Sequence, residues 1–332
     1  MITIKTLLSF VIPCYRSEET IQKVTDEIIS VVSERDEEYD YEIICVNDCS
    51  PDNVYSVLTA LSAANKKIKV INFAKNMGSH AAILAGFSHA KGEYVINLDD
   101  DMQCPVPELW RLLEPVVNDE CDVATANYYV KKQALWKNMG SALNNAVSSK
   151  LLGKPRNLRY ENFTVSKRFV IDEIIKYDKP YPYLDGLVFR VTGRVKAVMM
   201  EQRERGDEKT TGYSFRKSVA LFANGLTAFS VVPLRVSTVT GCIAAVIGFI
   251  IGIIMIIKKL VDPTVPIGYT STVVIQLFMG GLILMGMGLL GEYVGRIYIS
   301  INKSPQYVIK NTINLDDENG AQEIKNSQES NQ

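Results

Sequence analysis

Residues 236–257 read VSTVTGCIAAVIGFIIGIIMII, 22 consecutive positions without a charged side chain, and residues 263–291 form a second charge-free stretch. A helical run of roughly 20 apolar residues matches the ~30 Å hydrocarbon layer of a bilayer. Buried helices of a soluble core instead carry a polar face every few residues. The two stretches therefore predict membrane helices over about 236–257 and 272–297. Between them lies KKLVDPTVPIGYT, a short segment with two prolines and a glycine, which must turn outside the hydrocarbon. The pair reads as a helical hairpin, so everything before and after it lies on one side of the membrane.

The orientation follows from flanking charge. Arg235, Arg216, Lys217, Arg296 and Lys303 lie on the side of the main chain mass, against Lys258 and Lys259 in the turn, which points to a cytoplasmic location for the bulk. The apolar run at residues 7–13 is too short for a cleavable signal and lacks a small-residue cleavage site. The expectation is a plasma (inner) membrane protein with two spans. Over the whole chain 36 Lys and Arg meet 37 Asp and Glu, a net charge of −1, which excludes a globally basic nucleic-acid binder. The mean hydropathy of +0.05 is high for a soluble protein, and the two windows account for the surplus. The six cysteines, at positions 14, 45, 49, 104, 121 and 242, show no paired metal spacing and suit a reducing compartment.

Ahead of the hairpin the pattern alternates between strand and helix. Residues 7–12 form an apolar run stopped by Pro13, and after Ser17 a helix opens with Ile21, Val24, Ile28, Val31 and Val32 on one face. Residues 41–46, 69–73 and 94–98 read as further strands, with helices at Val54, Val57, Leu58 and Leu61 and over residues 78–90. Such alternation implies an α/β fold with a mainly parallel sheet, whose ligands gather at the carboxyl ends of the strands. No GxGxxG or Walker A sequence follows any strand. Acid sits there instead: Asp48 after the second strand, and Asp99, Asp100 and Asp101 after the fourth. Clustered carboxylates need a cation or hydrogen-bonding ligand, and oxygen donors suit Mg²⁺ or Mn²⁺.

The sequence of these motifs resembles family 2 inverting glycosyltransferases of the GT-A (Rossmann-like) fold, and more narrowly the polyprenyl-phosphate glycosyltransferases. The likeness spans about residues 7–310. It is carried by Val11-Ile12-Pro13-Cys14-Tyr15, Val46-Asn47-Asp48-Cys49-Ser50, Asn76-x-Gly78 with Ala85-Gly86, and Asp99-Asp100-Asp101-Met102-Gln103 with Pro105 and Pro107. Further on come Phe229-Ser230, Pro233-Leu234-Arg235, Gly291-Glu292-Tyr293-x-Gly295-Arg296-Ile297-Tyr298 and Ser304-Pro305-x-Tyr307.

The resemblance implies a catalytic domain over residues 1–212, a juxtamembrane amphipathic segment at 213–235, the hairpin at 236–300, and a cytoplasmic tail at 301–332, disordered after about 314. It implies a nucleotide sugar, UDP-linked, as donor and undecaprenyl (polyprenyl) phosphate as acceptor. Pro13, Tyr15, Glu18, Val46, Asp48, Asp100 and Met102 would line the donor site, and Asp99, Asp101 and Gln103 would hold the divalent cation. Asp101 and Asp99, with Glu161 and Asn162, would be the catalytic group. The acceptor phosphate is already anionic and needs gathering more than deprotonation. Arg203, Arg205, Lys209, Arg216 and Lys217, beside a membrane-surface helix bearing Val219, Leu221, Phe222, Leu226 and Phe229, would supply the positive charge. Similar proteins form tetramers, and the hairpin glycines at 280, 281, 286, 288, 291 and 295 permit close helix contact.

Several positions depart from the family pattern. Asn162 stands where an aspartate is common, so either Glu161 substitutes or no base is used. Ser17, next to Glu18, replaces a usual glutamate, and Tyr128, near Lys131 and Lys132, replaces a usual arginine. An inactive, membrane-anchored relative acting as a scaffold is the alternative these changes suggest. A polymerising synthase would need more spans and a QxxRW motif, which is absent. His80 and His89 read as structural groups, and Glu292 with Arg296 as an intrahelical ion pair.

Overall fold

The computed structural model describes residues 5–128, 160–179, 182–203, 232–261, 268–301 and 305–315. They fall into two compact units, one ending at Thr211 and resuming at Pro305, the other running Gly212–Ser304. In the first unit β1 (Thr6–Cys14), β2 (Tyr39–Asn47), β3 (Ile68–Phe73) and β4 (Tyr94–Asn97) alternate with α1 (Ile21–Ser33), α2 (Val54–Ala64) and α3 (Ser79–His89). These are the elements the apolar runs predict. They are followed by α4 (Leu109–Val117), β5 (Val123–Tyr128), β6 (Thr164–Lys167), α5 (Arg168–Ile174), α6 (Leu184–Val191), β7 (Val195–Met200) and, after the second unit, β8 (Ile309–Ile313).

All eight strands form one sheet in the order β7-β5-β6-β4-β1-β2-β3-β8. Its centre is parallel, with β1 between β2 and β4 and β2 beside β3, while β6 and β8 run antiparallel to their neighbours. The first strand runs through Pro13 instead of stopping at Ile12. Pairing with β4 ends at Val11, so Pro13 has a partner strand on one side only, where its missing N–H disrupts no ladder.

Side chains alternate across the sheet with period two. Leu8, Phe10, Ile12, Ile43, Val70 and Ile96 face α1, α2 and α4, whose Ile21, Ile28, Leu58, Leu109 and Leu112 complete one core. Val11, Ile44, Val46, Ile71 and Val95 face α3, α5 and α6. The latter side is tight, because α3 is built of small residues and lies close to the sheet. A Cβ added at Gly86 would meet Val11 Cγ1 at 2.3 Å.

In the second unit α7 (Val232–Val261) and α8 (Tyr269–Ile301) are 30 and 33 residues long, about 45 and 50 Å. The first begins at Val232, before the expected boundary at 235, and Pro233 is its second residue, where the absent N–H costs no helical bond. Among the described residues, one helix is long and apolar enough to cross a membrane, through Phe278–Gly295. Phe249, Leu284 and Met287 are 71%, 70% and 64% exposed, an apolar surface suited to lipid. Near Ser237 the two helices approach closely, 3.4 Å from a Cβ added at Gly286. The amphipathic segment up to 231 and the tail after 315 lie outside the described residues.

Gly86→Ala is expected to destabilise the protein by about 1–3 kcal/mol through overpacking against Val11. Combining it with Val11→Ala should recover part of that loss in chemical unfolding. A neutral Gly86→Ala would show that the close approach is not real.

Candidate active site

The parallel centre of the sheet sends β1, β2, β3 and β4 out along one rim, and the four loops that follow are cross-tied by side chains. Each contains a backbone in the left-handed region: Arg16 (φ 59°), Cys49 (47°), Gly78 (90°) and Met102 (63°). Non-glycine residues seldom adopt it, and such conformations concentrate where a loop is held for function.

Asp48 is central. Its carboxylate, 4% exposed, accepts the backbone N–H groups of Met77 at 2.6 Å and Gly78 at 2.9 Å, while its carbonyl accepts the Asn76 amide at 3.1 Å. Burial raises its pKa above the ordinary aspartate value, and the two N–H groups oppose the rise. In this arrangement the carboxylate clamps the loop before α3.

The loop after β1 is fastened to its neighbours in the same manner. Tyr15 N–H donates to Asp100 Oδ2 at 2.9 Å, and the Thr20 hydroxyl donates to the Asp100 carbonyl at 2.6 Å. Arg16 N–H donates to Ser50 Oγ at 2.8 Å, and Ser50 Oγ donates to Asp52 at 2.5 Å. Glu18 and Asp52 exchange partners: Glu18 N–H donates to Asp52 at 3.1 Å, and Asn53 N–H to the Glu18 carboxylate at 2.7 Å. Tyr15 itself is 45% exposed and offers an open ring. Beneath it Pro13 and Val46, paired across β1 and β2, are buried. Val46 packs in the α3-side core, so its side chain is not available to line a base pocket.

Around the three aspartates the electrostatics are one-sided. Burial pushes the Asp100 carboxyl up to about 6, with Asp99 and Asp101 adding to the rise and the Ser17 hydroxyl and Tyr15 N–H opposing it. The Cys104 thiol is pushed up to about 12 by burial and then by Asp99, and the Tyr128 hydroxyl is raised by burial and Cys104. Asn162 donates its amide to both Asp99 oxygens, at 3.0 and 2.9 Å, and is itself held by Asn97, which donates to its carbonyl at 2.8 Å. Glu161 is fixed through its backbone to Thr125. Asn162 thus orients Asp99 at neutral cost, where an aspartate would add a fourth negative charge.

Among the described residues no group of three or more His, Cys, Asp or Glu is gathered into a metal cage. Asp99 and Asp101, at alternate positions, are oxygen donors of the type that Mg²⁺ or Mn²⁺ takes, one or two carboxylates with water and substrate phosphate completing the shell. The Gln103 side-chain oxygen, on the same loop, accepts the Gln202 amide at 3.1 Å. Met102 packs against the core, its backbone alone shaping the turn.

Of the residues expected to gather the acceptor phosphate, Arg203 is committed elsewhere, its guanidinium forked onto Glu27 of α1 at 2.9 and 2.8 Å. Arg205, Lys209, Arg216 and Lys217 lie outside the described residues, as do Lys131 and Lys132. Ser50 stands in the motif after β2 with no role predicted for it, and the parts of Asp52, Asn53 and Asn97 emerge only in the fold. An Asx and Ser cluster after a strand was their signal, but its meaning depends on which loop lies beside it.

Asp48→Ala would leave two buried N–H groups unpaired and is expected to cost about 2–4 kcal/mol in chemical unfolding. Asp48→Asn, which keeps one acceptor oxygen, should cost roughly half of that. Equal losses would mean that charge, and not the paired amides, matters at this position.

Comparison with known proteins places this geometry. Residues 9–174 match the family model described as glycosyl transferase family 2. The chain is 31% identical over 315 residues to the prophage bactoprenol glucosyl transferase homolog of Escherichia coli (strain K12), covering 91% of this chain and 98% of that one. It is 30% identical over 323 residues to the undecaprenyl-phosphate 4-deoxy-4-formamido-L-arabinose transferase of Proteus mirabilis (strain HI4320), covering 95% and 97%. Glucosyl-3-phosphoglycerate synthase from Mycobacterium tuberculosis, crystallised with UDP, has the same fold at a TM-score of 0.51 and 15% identity over 68% of this chain and 79% of that one. A second structure of that enzyme, in complex with Mn²⁺, UDP and phosphoglyceric acid, has a TM-score of 0.50 at 16% identity over 67% of this chain and 76% of that one. The α/β, mostly parallel architecture is therefore GT-A-like, and with its strand-end carboxylates and the match across half its length, the chain belongs to glycosyl transferase family 2.

Proposed function

We propose that this protein transfers a single sugar from a nucleotide sugar, UDP-linked, to undecaprenyl (polyprenyl) phosphate at the cytoplasmic face of a membrane, with inversion at the anomeric carbon. The observation that carries the reading is the extent of the likeness. The bactoprenol relative matches 315 residues, beyond the catalytic unit and through the apolar hairpin. A soluble sugar acceptor would need no such hairpin; a polyprenyl chain does.

Asp99 and Asp101 are the residues that would hold Mg²⁺ or Mn²⁺. When bound, the cation supplies Lewis-acid stabilisation to the charge that develops on the departing nucleoside diphosphate. The chain's own groups do the rest. Tyr15, exposed at the end of β1, offers its ring to the base, and the Asp48 and Asp100 clamps hold the loops that frame it. Asn162 keeps Asp99 oriented without adding charge. No general base is required, because the acceptor phosphate is ionised at neutral pH. Arg205, Lys209, Arg216 and Lys217 are the cations that would gather it, Arg203 being paired with Glu27.

Chain connectivity supports two crossings. The hairpin leaves the catalytic unit after Thr211 and returns to it at Pro305, where β8 pairs with β3 in the same sheet. A chain that begins and ends in one unit on one side crosses a bilayer an even number of times. If α8 crosses through Phe278–Gly295, α7 must cross as well.

The test is turnover by the purified protein with a UDP-sugar panel, undecaprenyl phosphate and Mn²⁺. A lipid-linked monosaccharide and free UDP are expected, with loss of activity in a chelator and a drop of about 100-fold or more for Asp101→Ala. Nucleotide binding without lipid product from any donor would contradict the proposal.

A further inference from the structure

Three amides run side by side across one end of the sheet, two of them buried and the third, on the edge strand, exposed. Asn47 ends β2, Asn72 lies beside it on β3, and Asn311 lies beside that on β8. Asn47 and Asn72 are 4% and 8% exposed. Asn72 donates to Asn311 Oδ1 at 2.8 Å, Asn47 donates to Asn72 Oδ1 at 2.9 Å, and Asn47 Oδ1 accepts the N–H of Ser50 at 3.1 Å. The far end is anchored by Asn311, whose amide donates to the Tyr55 hydroxyl on α2. The ladder thus starts on the strand formed after the hairpin and finishes in the loop that carries Asp48, Ser50 and Asp52. Ser50 passes the restraint on, since its hydroxyl accepts Arg16 N–H from the loop after β1.

Apolar side chains at Asn47 and Asn72 would avoid the desolvation that these two buried amides incur, so the ladder's contribution is position more than stability. From this we infer that Asn311, through Asn72 and Asn47, is a positioning residue for the donor loop, making the C-terminal strand part of the donor site. The inference rests on the proposed reading of the rim as a nucleotide-sugar site. It adds that the site is completed by a strand more than 230 residues downstream, Asn72 and Asn311 being 239 apart. Asn314 is a natural control. It fastens the same strand by donating to Ser62 O and Ile68 O at 2.7 and 2.9 Å, but has no part in the ladder.

The experiment compares Asn311→Ala, Asn311→Asp and Asn314→Ala in the full-length purified protein. It measures hydrogen exchange at the Ser50 amide, and KM and kcat for the donor. Asn311→Ala should speed Ser50 exchange and raise the donor KM by roughly three- to tenfold, with kcat and acceptor KM changed less than about twofold. Asn311→Asp, which keeps the acceptor oxygen, should restore both. Asn314→Ala should lower thermal stability and leave the donor KM alone. Unchanged Ser50 exchange in Asn311→Ala overturns the inference, and so does an equal rise in donor KM for Asn314→Ala. Absence of turnover in the unsubstituted protein sinks the functional reading instead, while the exchange result still decides the ladder.

Discussion

Parallel strands deliver their loops to one rim without saying how those loops are to be held, and in this protein the holding is done by side-chain acceptors on backbone N–H groups. Asp48 takes Met77 and Gly78, Asp100 takes Tyr15, Ser50 takes Arg16, and Glu18 takes Asn53. Left without Asp48, the part-buried N–H groups of Met77 and Gly78 would go unsatisfied, each a cost of about 1–3 kcal/mol. Tyr15, Arg16 and Asn53, at exposed positions, would turn to water and leave their loops untied. Pairing each with a neighbouring loop removes that cost and fixes the four loops against one another. The left-handed residues at 16, 49, 78 and 102 persist because these ties over-determine their conformation. The exposed ring of Tyr15 and the carboxylates of Asp99 and Asp101 are thereby presented on a rigid frame.

This frame explains which parts of the molecule were legible in the sequence. The first four strands and three helices follow from apolar periodicity, and burial of Ile21, Val24, Ile28, Val31 and Val32 on one face of α1 matches the spacing. The acidic rim was legible as well, since it needs only strand ends and carboxylates. What each carboxylate does was not. Asp48, Asp100, Gln103 and Arg203 all lie where residues of their type would serve a ligand, and each is engaged by a partner distant in sequence, 29, 85, 99 and 176 positions away. Local spacing carries no information about such partners. The strand β8 was hidden for a related reason. Its five residues IKNTI are too short and too polar to stand out, and only the exposed edge of β3 gives them a place.

The long apolar helices and the sheet form separate units, yet the chain interleaves them. After α8 it returns to the sheet, where Tyr307 stacks on Phe73 at 5.3 Å and Gln306 donates to the carbonyls of Tyr177 and Lys179 at 2.6 and 2.7 Å. An enzyme whose acceptor is a lipid must keep a water-facing donor site and a membrane-facing acceptor site in one polypeptide. The second unit is inserted in the chain between β7 and β8, two strands of one sheet.

Hydrogen exchange of the full-length protein with and without UDP and Mn²⁺ tests most directly whether the rim is the donor site. Slowed exchange confined to the loops after β1, β2 and β4, with the α5 and α6 layer unchanged, is the predicted result. Binding of UDP that leaves those three loops unprotected and slows exchange elsewhere would contradict it.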